Sequence, residues 1–174
     1  HEALTGQVVR TPLLSFPALD ALVGGRILIK PENLQHTGSF KYRGALNHMR
    51  SLEGTDAPTS VIAYSSGNHA QGVAKAARDA GLAATIIMPS DAPQTKIDRT
   101  RALGAEVVLY DRAHESREEI AAAQPNAHEA YLIPPYDHPL TIAGQGTIGL
   151  EVAEQMGAET LDQALICCGG GGLA

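Results

Sequence analysis

Short apolar runs alternate along this 174-residue chain with longer segments of helical periodicity, and this alternation constrains the fold most. Apolar runs bounded by turn residues are typical of buried strands, and strands separated by helices form largely parallel sheets. The sequence therefore predicts an α/β fold. The predicted strands are residues 26–30, 61–65, 84–88, 106–110, 131–133 and 164–168, and the predicted helices are residues 40–51, 69–80, 94–103, 115–123 and 141–156.

Three of these strands, between residues 61 and 110, begin about 22 residues apart, and each is followed by a helix. Right-handed crossovers join such units into one compact sheet. We therefore expect residues 60–137 to form a small domain, and residues 1–59 and 138–174 to form a larger domain that is incomplete here. The two prolines within residues 131–136 are expected where the chain returns to the larger domain.

Two of the predicted helices carry residues typical of helix ends. Asn68 is placed to cap the helix that Gly81 stops, and Pro93 directly precedes the helix that Gly104 ends.

Composition and charge exclude several classes of protein. The chain is 44% hydrophobic and 18% charged, which is typical of globular rather than disordered proteins. Its net charge is −6 and it has no basic run, so we expect no nucleic-acid partner. No apolar stretch reaches the roughly 18 residues that span a bilayer, and residues 1–5 carry no secretion signal. These features predict a cytoplasmic protein with no membrane partner.

The only cysteines, Cys167 and Cys168, are adjacent, a spacing that disfavours a relaxed disulfide and gives no sign of an oxidising compartment. We expect both to be buried strand residues. The missing initiator Met before His1 and the finish at Ala174 lead us to expect that both ends have been cut.

A lysine stands in the first turn of the helix predicted at residues 40–51. The turn of residues 37–39 (Thr-Gly-Ser) precedes Phe40 and Lys41. A reactive lysine needs a lowered pKa so that its neutral amine is populated, and a positive helix start and the nearby Arg43 would both act in that direction. The alternative is an ordinary solvated lysine after a Gly-Ser turn.

A second polar cluster lies where a predicted strand ends and a helix begins, at residues 65–72 (SSGNHAQG). Ligands of open α/β sheets bind at the carboxyl ends of the strands. Backbone N–H groups there can hold an anion, and Ser66, Asn68 and His69 add side-chain partners. In the alternative interpretation, Ser and Asn only cap the helix and His69 bonds a loop carbonyl.

Four consecutive glycines, residues 169–172, directly follow the apolar run at residues 164–168. Their entropic cost suggests that the main chain approaches a ligand closely, and successive N–H groups are suited to a phosphate. The run matches neither a dinucleotide nor a nucleoside-triphosphate motif, and a flexible linker is the alternative.

Other constellations are missing from the sequence. It contains no H-E-x-x-H, C-x-x-C or G-x-S-x-G pattern, so no metal site is predicted. Arg117 could grip a carboxylate with two hydrogen bonds, but an exposed helical arginine beside Glu118 and Glu119 is the alternative.

In this order, the three clusters resemble the fold type II pyridoxal-phosphate enzymes, and among them the serine/threonine dehydratase and serine racemase group. The resemblance runs from Arg10 to Ala174. The stretches that carry it are KPENLQ at residues 30–35, GSFK at 38–41, SSGNHAQG at 65–72, IAGQGTIGLE at 142–151 and the glycines at 169–172.

The resemblance implies a role for each matching residue. Lys41 would form the Schiff base with pyridoxal 5'-phosphate, Phe40 would lie against its ring, and Asn68 would contact its 3-oxygen. The residues expected to bind its phosphate are Gly169, Gly170, Gly171 and Gly172, and those expected around the substrate carboxylate are Ser65, Ser66, Asn68, His69 and Arg117.

The resemblance also implies an activity, the dehydration of a β-hydroxy amino acid such as L-threonine or L-serine to a 2-oxo acid and ammonia. Racemisation of serine or hydroxyaspartate is the alternative, with Ser66 as the acid/base on the second face. A non-catalytic small-molecule-binding module is an alternative of another class. The family is longer than this chain and is expected to act as a homodimer, with its pyridine-nitrogen partner and cation site beyond Ala174. His36 replaces a family lysine implicated in nucleotide binding, so nucleotide activation is not implied.

Overall fold

A computed structural model describes residues 4–54, 57–125 and 127–174, so residues 1–3 of the N-terminal stretch discussed above lie outside the described residues. Two short 3-10 turns, Glu32–Leu34 and His36–Gly38, precede the main helices. The strands are β1 (Leu14–Ser15), β2 (Leu28–Ile29), β3 (Ser60–Tyr64), β4 (Ala83–Pro89), β5 (Glu106–Tyr110) and β6 (Ala130–Leu132). The helices are α1 (Pro17–Val23), α2 (Lys41–Arg50), α3 (Asn68–Ala80), α4 (Gln94–Ala102), α5 (Arg117–Ala122) and α6 (Pro139–Met156).

Four strands form a parallel sheet in the order β5-β4-β3-β6, and β1 pairs with β2 as a separate antiparallel ribbon. The central strand β3 is buried on both faces, as the continuous apolar run predicts. Val61 and Ile86 pack into the main core with α2 and α3, whereas Ile62 and Ile87 pack against Ala121 of α5. Helices therefore cover both faces of the sheet, and the α/β prediction is confirmed.

Close helix crossings bring α3 and α6 against α2. A Cβ atom added to Gly144 of α6 would lie 2.6 Å from the Cα atom of Gly44 in α2. A Cβ atom added to Gly72 of α3 would lie 3.0 Å from the carbonyl carbon of Lys41. A side chain at Gly144 would force α6 away from α2, and one at Gly72 would press on the main chain of α2, so both glycines favour close packing. The second approach sets the N-terminal half of α3 beside the first turn of α2.

A buried network of four charged side chains ties α2 to α6. Arg43 is fully buried, and its Nε donates to Glu32 at 2.8 Å while its Nη1 donates to Glu151 at 2.6 Å. Lys30 Nζ donates to Glu151 at 2.5 Å. Each carboxylate accepts more than one hydrogen bond, as buried charges require. The network fixes the start of α2 against α6 and the 3-10 turn Glu32–Leu34.

The strand predicted at residues 164–168 is wrong for the described structure. The segment is irregular, Leu165 is 97% exposed, and Cys167 and Cys168 are exposed rather than buried. An apolar run forms a strand only where a neighbouring strand accepts its hydrogen bonds, and none in the described ranges lies beside it. Periodicity within a segment does not contain that information.

Helix ends match the predictions in part. Gly81 ends α3 in the left-handed conformation, with φ 72°, which confirms its predicted position. Asn68 is not the cap, because Gly67 occupies that position and Asn68 is the first helical residue. Helix α1 was not predicted, since its Leu22 and Val23 are exposed and give no amphipathic pattern. No helix within the described ranges combines the length and apolar character needed to cross a bilayer.

Candidate active site

Lys41 is the first residue of α2, and its amine is half-buried rather than solvated. Nζ donates a hydrogen bond to the carbonyl oxygen of Pro135 at 2.6 Å and lies 5.3 Å from the centre of the Phe40 ring. Burial lowers the pKa of Lys41 below 10.5. The expected contribution of Arg43 is absent, because its guanidinium is directed into the buried charge network and contacts Glu32 and Glu151 instead. Lys41 therefore has the lowered basicity of a reactive amine, with burial as its cause.

His69, the second residue of α3, is buried beside this amine. Its Nε2 donates to the carbonyl oxygen of Ile133 at 3.0 Å, and its Nδ1 has no hydrogen-bond partner among the described residues. Burial, with a smaller repulsion from Lys41, lowers the pKa of His69 to about 4. The ring is neutral at pH 7, and Nδ1 presents an unused lone pair. The alternative interpretation, in which His69 bonds a loop carbonyl, is thus correct for Nε2, whereas Nδ1 is left for a ligand.

Residues 133–135 offer three consecutive carbonyls to three different helices. Ile133 accepts from His69 of α3, Pro134 accepts from the Thr141 hydroxyl of α6 at 3.3 Å, and Pro135 accepts from Lys41 of α2. We call residues 133–135 the carbonyl segment. Sequence reasoning missed its contribution, because backbone carbonyls carry no residue signature. The Pro-Pro pair was the one available signal, since prolines offer acceptors without donors.

The polar residues after β3 lie in the turn into α3. Ser65 Oγ accepts the Gly67 N–H at 3.1 Å, so its hydroxyl shapes the turn. Ser66 is half-buried and Asn68 is exposed, and neither side chain is hydrogen-bonded within the described ranges. These two side chains are therefore available to a ligand at the carboxyl end of the central strand.

The glycine turn, residues 169–172, packs against Tyr136. A Cβ atom added to Gly170 would lie 2.5 Å from two ring atoms of Tyr136, and one added to Gly172 would lie 2.8 Å from the Tyr136 Cβ. Gly171 has a φ of 83°, which favours glycine. The turn is therefore anchored next to the carbonyl segment that holds Lys41, and it is not a free linker.

Arg117 is not joined to Lys41 by any contact in the described structure. Its Nε donates to Glu118 at 2.8 Å, and its guanidinium lies 5.5 Å from the centre of the Tyr64 ring, one residue before Ser65. The hydrogen bond to the Glu118 carboxylate raises the pKa of Arg117. The interpretation as an exposed helical arginine beside an acidic residue describes this geometry.

These residues fit a cofactor that carries an aldehyde, an aromatic ring and a phosphate. The amine and the Phe40 ring suit the first two, and the N–H groups of the glycine turn suit the third. Three buried polar atoms near the start of α2 and α3 have no hydrogen-bond partner within the described ranges, namely Thr37 Oγ1, Ser39 Oγ and His69 Nδ1. Within the described ranges, no group of three or more His, Cys, Asp or Glu side chains could hold a metal ion.

Comparisons with known proteins agree with this chemistry. Residues 4–174 match the family described as pyridoxal-phosphate dependent enzyme. An L-threo-3-hydroxyaspartate ammonia-lyase of Pseudomonas sp is 48% identical over 172 residues, covering 99% of this chain and 53% of that protein. An L-threonine ammonia-lyase of Thermotoga maritima is 44% identical over 173 residues, covering 99% of this chain and 43% of that protein.

The structural comparison gives the same picture. The crystal structure of serine racemase from Dictyostelium discoideum matches with a TM-score of 0.85 and 36% identity, covering 93% of this chain and 52% of that one. The chain spans about half the length of the curated relatives it matches. Together these comparisons confirm the resemblance found in the sequence.

Proposed function

Because this chain belongs to the family of pyridoxal-phosphate dependent enzymes, we propose that it is part of an ammonia-lyase that dehydrates a β-hydroxy amino acid of the L-threonine or L-serine type. The products would be a 2-oxo acid and ammonia. The observation that carries the proposal is Lys41, a half-buried amine of lowered pKa next to an aromatic ring and to the segment packed on the glycine turn. Relatives named as ammonia-lyases for threonine and for hydroxyaspartate support the same class of reaction.

Four parts of the chain would hold the cofactor. Lys41 would hold its aldehyde carbon, Phe40 would pack against its ring, Asn68 would donate to its 3-oxygen, and the N–H groups of residues 169–172 would hold its phosphate. When bound, pyridoxal phosphate supplies an electron sink for negative charge that develops at the substrate Cα.

Lys41 would then act as the general base that takes the proton from the substrate Cα. Its lowered pKa increases the fraction of neutral amine at pH 7, and only the neutral amine accepts a proton. In the cofactor-free chain, the hydrogen bond to the Pro135 carbonyl holds the amine at a defined place, ready for the aldehyde.

The substrate carboxylate would be bound by Ser65, Ser66 and Asn68 at the end of β3. We assign His69 a different part, because a neutral ring with a lone pair on Nδ1 repels a carboxylate and attracts a donor. The β-hydroxyl of the substrate is such a donor. Arg117, held by Glu118, would complete the carboxylate site only after that ion pair opens.

Racemisation is the second candidate. It requires a proton donor on the opposite face of Cα, and the Ser66 hydroxyl, which has no hydrogen-bond partner among the described residues, could serve as that donor. Relatives named serine racemase are 42% and 39% identical to this chain. Chiral analysis of recovered substrate in deuterated water separates the two reactions. Deuterated D-isomer supports racemisation, and oxo acid alone supports dehydration.

A non-catalytic binding module is the third candidate, and it is disfavoured because Lys41 is retained and has lowered basicity. A spectral shift with serine or threonine, without turnover, would support it.

For the assembly, we propose that residues 60–137 act as a small domain against residues 1–59 and 138–174, and that the full-length protein is a homodimer.

Borohydride trapping tests the proposed function. The chain is incubated with pyridoxal phosphate, reduced with borohydride and analysed by mass spectrometry, with Lys75 of α3 as the matched control. We expect the label on Lys41, its loss in Lys41→Ala and its retention in Lys75→Ala. Label on another lysine, or an absorbance that borohydride does not bleach, would refute the assignment. Oxo-acid release across a panel of β-hydroxy amino acids then identifies the substrate.

A further inference from the structure

A polar cluster, formed by the buried side chains of His48 and Thr141 and the exposed Tyr131, lies behind the carbonyl segment and has no role in the function proposed above. His48 of α2 is fully buried, and its ring stacks on that of His138 at 4.3 Å between centres. Its Nδ1 lies 3.1 Å from Thr141 Oγ1, and its Nε2 lies 3.3 Å from the Tyr131 hydroxyl oxygen. Three elements, α2, α6 and β6, thus each contribute one member.

The proton positions in this cluster follow from its acceptors. The Pro134 carbonyl only accepts, so the single hydroxyl proton of Thr141 points to it. His48 Nδ1 must then donate to Thr141 Oγ1. Burial, with a smaller repulsion from His138, lowers the pKa of His48 to about 4, so its ring is neutral and Nε2 accepts from Tyr131. All three hydrogen bonds therefore run in one direction, from Tyr131 to Pro134.

The carbonyl at the end of this chain of hydrogen bonds precedes the one that holds Lys41. Proline rings fix φ near −65°, so ψ of Pro135 is the one free main-chain rotation between the Pro134 and Pro135 carbonyls. His69 holds the third carbonyl, that of Ile133, from the other side. Placing the Pro134 carbonyl consequently restricts the positions open to the Pro135 carbonyl, whose oxygen lies 2.6 Å from Lys41 Nζ.

We propose that Thr141 and His48 are positioning residues that fix the Pro134–Pro135 carbonyls and so keep the Lys41 amine in its half-buried place. The proposal rests on the proposed function only in taking Lys41 as the reacting amine. Neither Thr141 nor His48 is proposed to touch the substrate or the cofactor.

The basicity of Lys41 in the cofactor-free chain tests the proposal. Lysines are labelled competitively with acetic anhydride between pH 7 and 11 and quantified by mass spectrometry, with Lys75 and Lys96 as internal references. In Thr141→Val the carbonyl segment loses its hydroxyl donor, Lys41 becomes solvated, and its pKa rises towards 10.5. We expect its labelling at pH 8 to fall severalfold relative to the references. Thr141→Ser retains the hydroxyl and should label as the unmodified chain does.

Two results would overturn the proposal. One is a lower unfolding temperature in Thr141→Val with an unchanged labelling profile for Lys41, which indicates a purely structural role. The other is an equal loss in Thr141→Ser and Thr141→Val, which assigns the effect to packing. If circular dichroism shows that Thr141→Val is unfolded, Tyr131→Phe replaces it, since Tyr131 is 36% exposed. A shift in the same direction supports the proposal, and no shift overturns it.

The labelling results do not depend on the proposed function, because no cofactor is present during labelling. Failure of borohydride trapping with a shifted labelling profile would reject the activity and keep the positioning. Successful trapping with an unshifted labelling profile would keep the proposed activity and reject the positioning role of Thr141 and His48.

Discussion

Replacing the carboxylate of Glu151 by the amide in Glu151→Gln should destabilise the fold far more than a surface change on the same helix. Glu151 is 2% exposed and accepts from Arg43 Nη1 at 2.6 Å, Arg43 Nη2 at 3.0 Å and Lys30 Nζ at 2.5 Å. Two cations face two carboxylates in the buried network, so losing one carboxylate leaves an uncompensated buried positive charge.

Breaking a buried ion pair by removing one partner costs about 3–5 kcal/mol. Glu32 still accepts two hydrogen bonds from Arg43, at 2.8 Å from Nε and 2.9 Å from Nη2. We therefore expect Glu151→Gln to cost about 3 kcal/mol, the lower end of that range. Since domains are stable by about 5–15 kcal/mol, this is a large fraction of the total.

Glu154→Gln is the matched control, one turn away on α6. Glu154 pairs with Arg10 at 3.0 Å, and the two side chains are 49% and 54% exposed, so the change should cost under about 1 kcal/mol. Urea unfolding followed by far-UV circular dichroism gives both midpoints, with the slope compared to check that the transition is the same. Equal midpoints in the two variants would refute the reasoning from buried charge.

Acidification tests the buried imidazoles. The pKa of His48 is about 4 in the folded chain and 6.5 when the chain is unfolded, so protons bind the unfolded chain preferentially between these values. The free energy of unfolding is therefore highest above pH 6.5 and falls as the pH drops towards 4. About 2 kcal/mol should be gone at pH 5, and His48→Gln should flatten that slope in urea titrations at pH 5, 6 and 7; an unchanged slope would contradict the assignment. Gly144→Ala should cost about 1–3 kcal/mol, because its Cβ meets the backbone of α2, whereas Gly146→Ala, with nothing within 4 Å, should stabilise by up to about 1 kcal/mol; thermal unfolding shifts of the same sign would refute the crossing. Lys41→Ala should abolish oxo-acid release by the cofactor-loaded protein while Lys75→Ala retains it, and residual release by the first variant would refute its role as base.

The strands and helices of the sheet were predictable because their signals are local. Buried runs such as Val61 to Ala63 have no polar residue, and Gly81 marks a helix end by its own conformational freedom. The position of Lys41 at a helix start was visible for the same reason. Residues 164–168 show the limit, since whether an apolar run pairs depends on a neighbour that the segment does not encode.

Only the side chains of the site could be predicted from the sequence, because backbone groups carry no residue-specific signal. Lys41, His69 and the glycines stood out, but the acceptor that holds the amine is the backbone carbonyl of Pro135, a feature that any residue can supply. Arg43 shows the opposite error, because nearness in sequence to Lys41 suggested an electrostatic effect. Its side chain points across the helix to Glu151, and three-dimensional direction decides which charges interact.

The Pro-Pro step has a further consequence for the edge of the sheet. Strand β6 stands at an edge of the sheet, pairs with β3 within the described ranges and is only three residues long. Open sheet edges recruit strands from other molecules and seed fibrils. The Ile133 N–H is donated to Ile62, and Pro134 and Pro135 carry none, so a foreign strand that docks on Ala130–Leu132 finds no donor in residues 133–135. The same segment that anchors the amine thus keeps the exposed ladder at this edge to the three residues of β6.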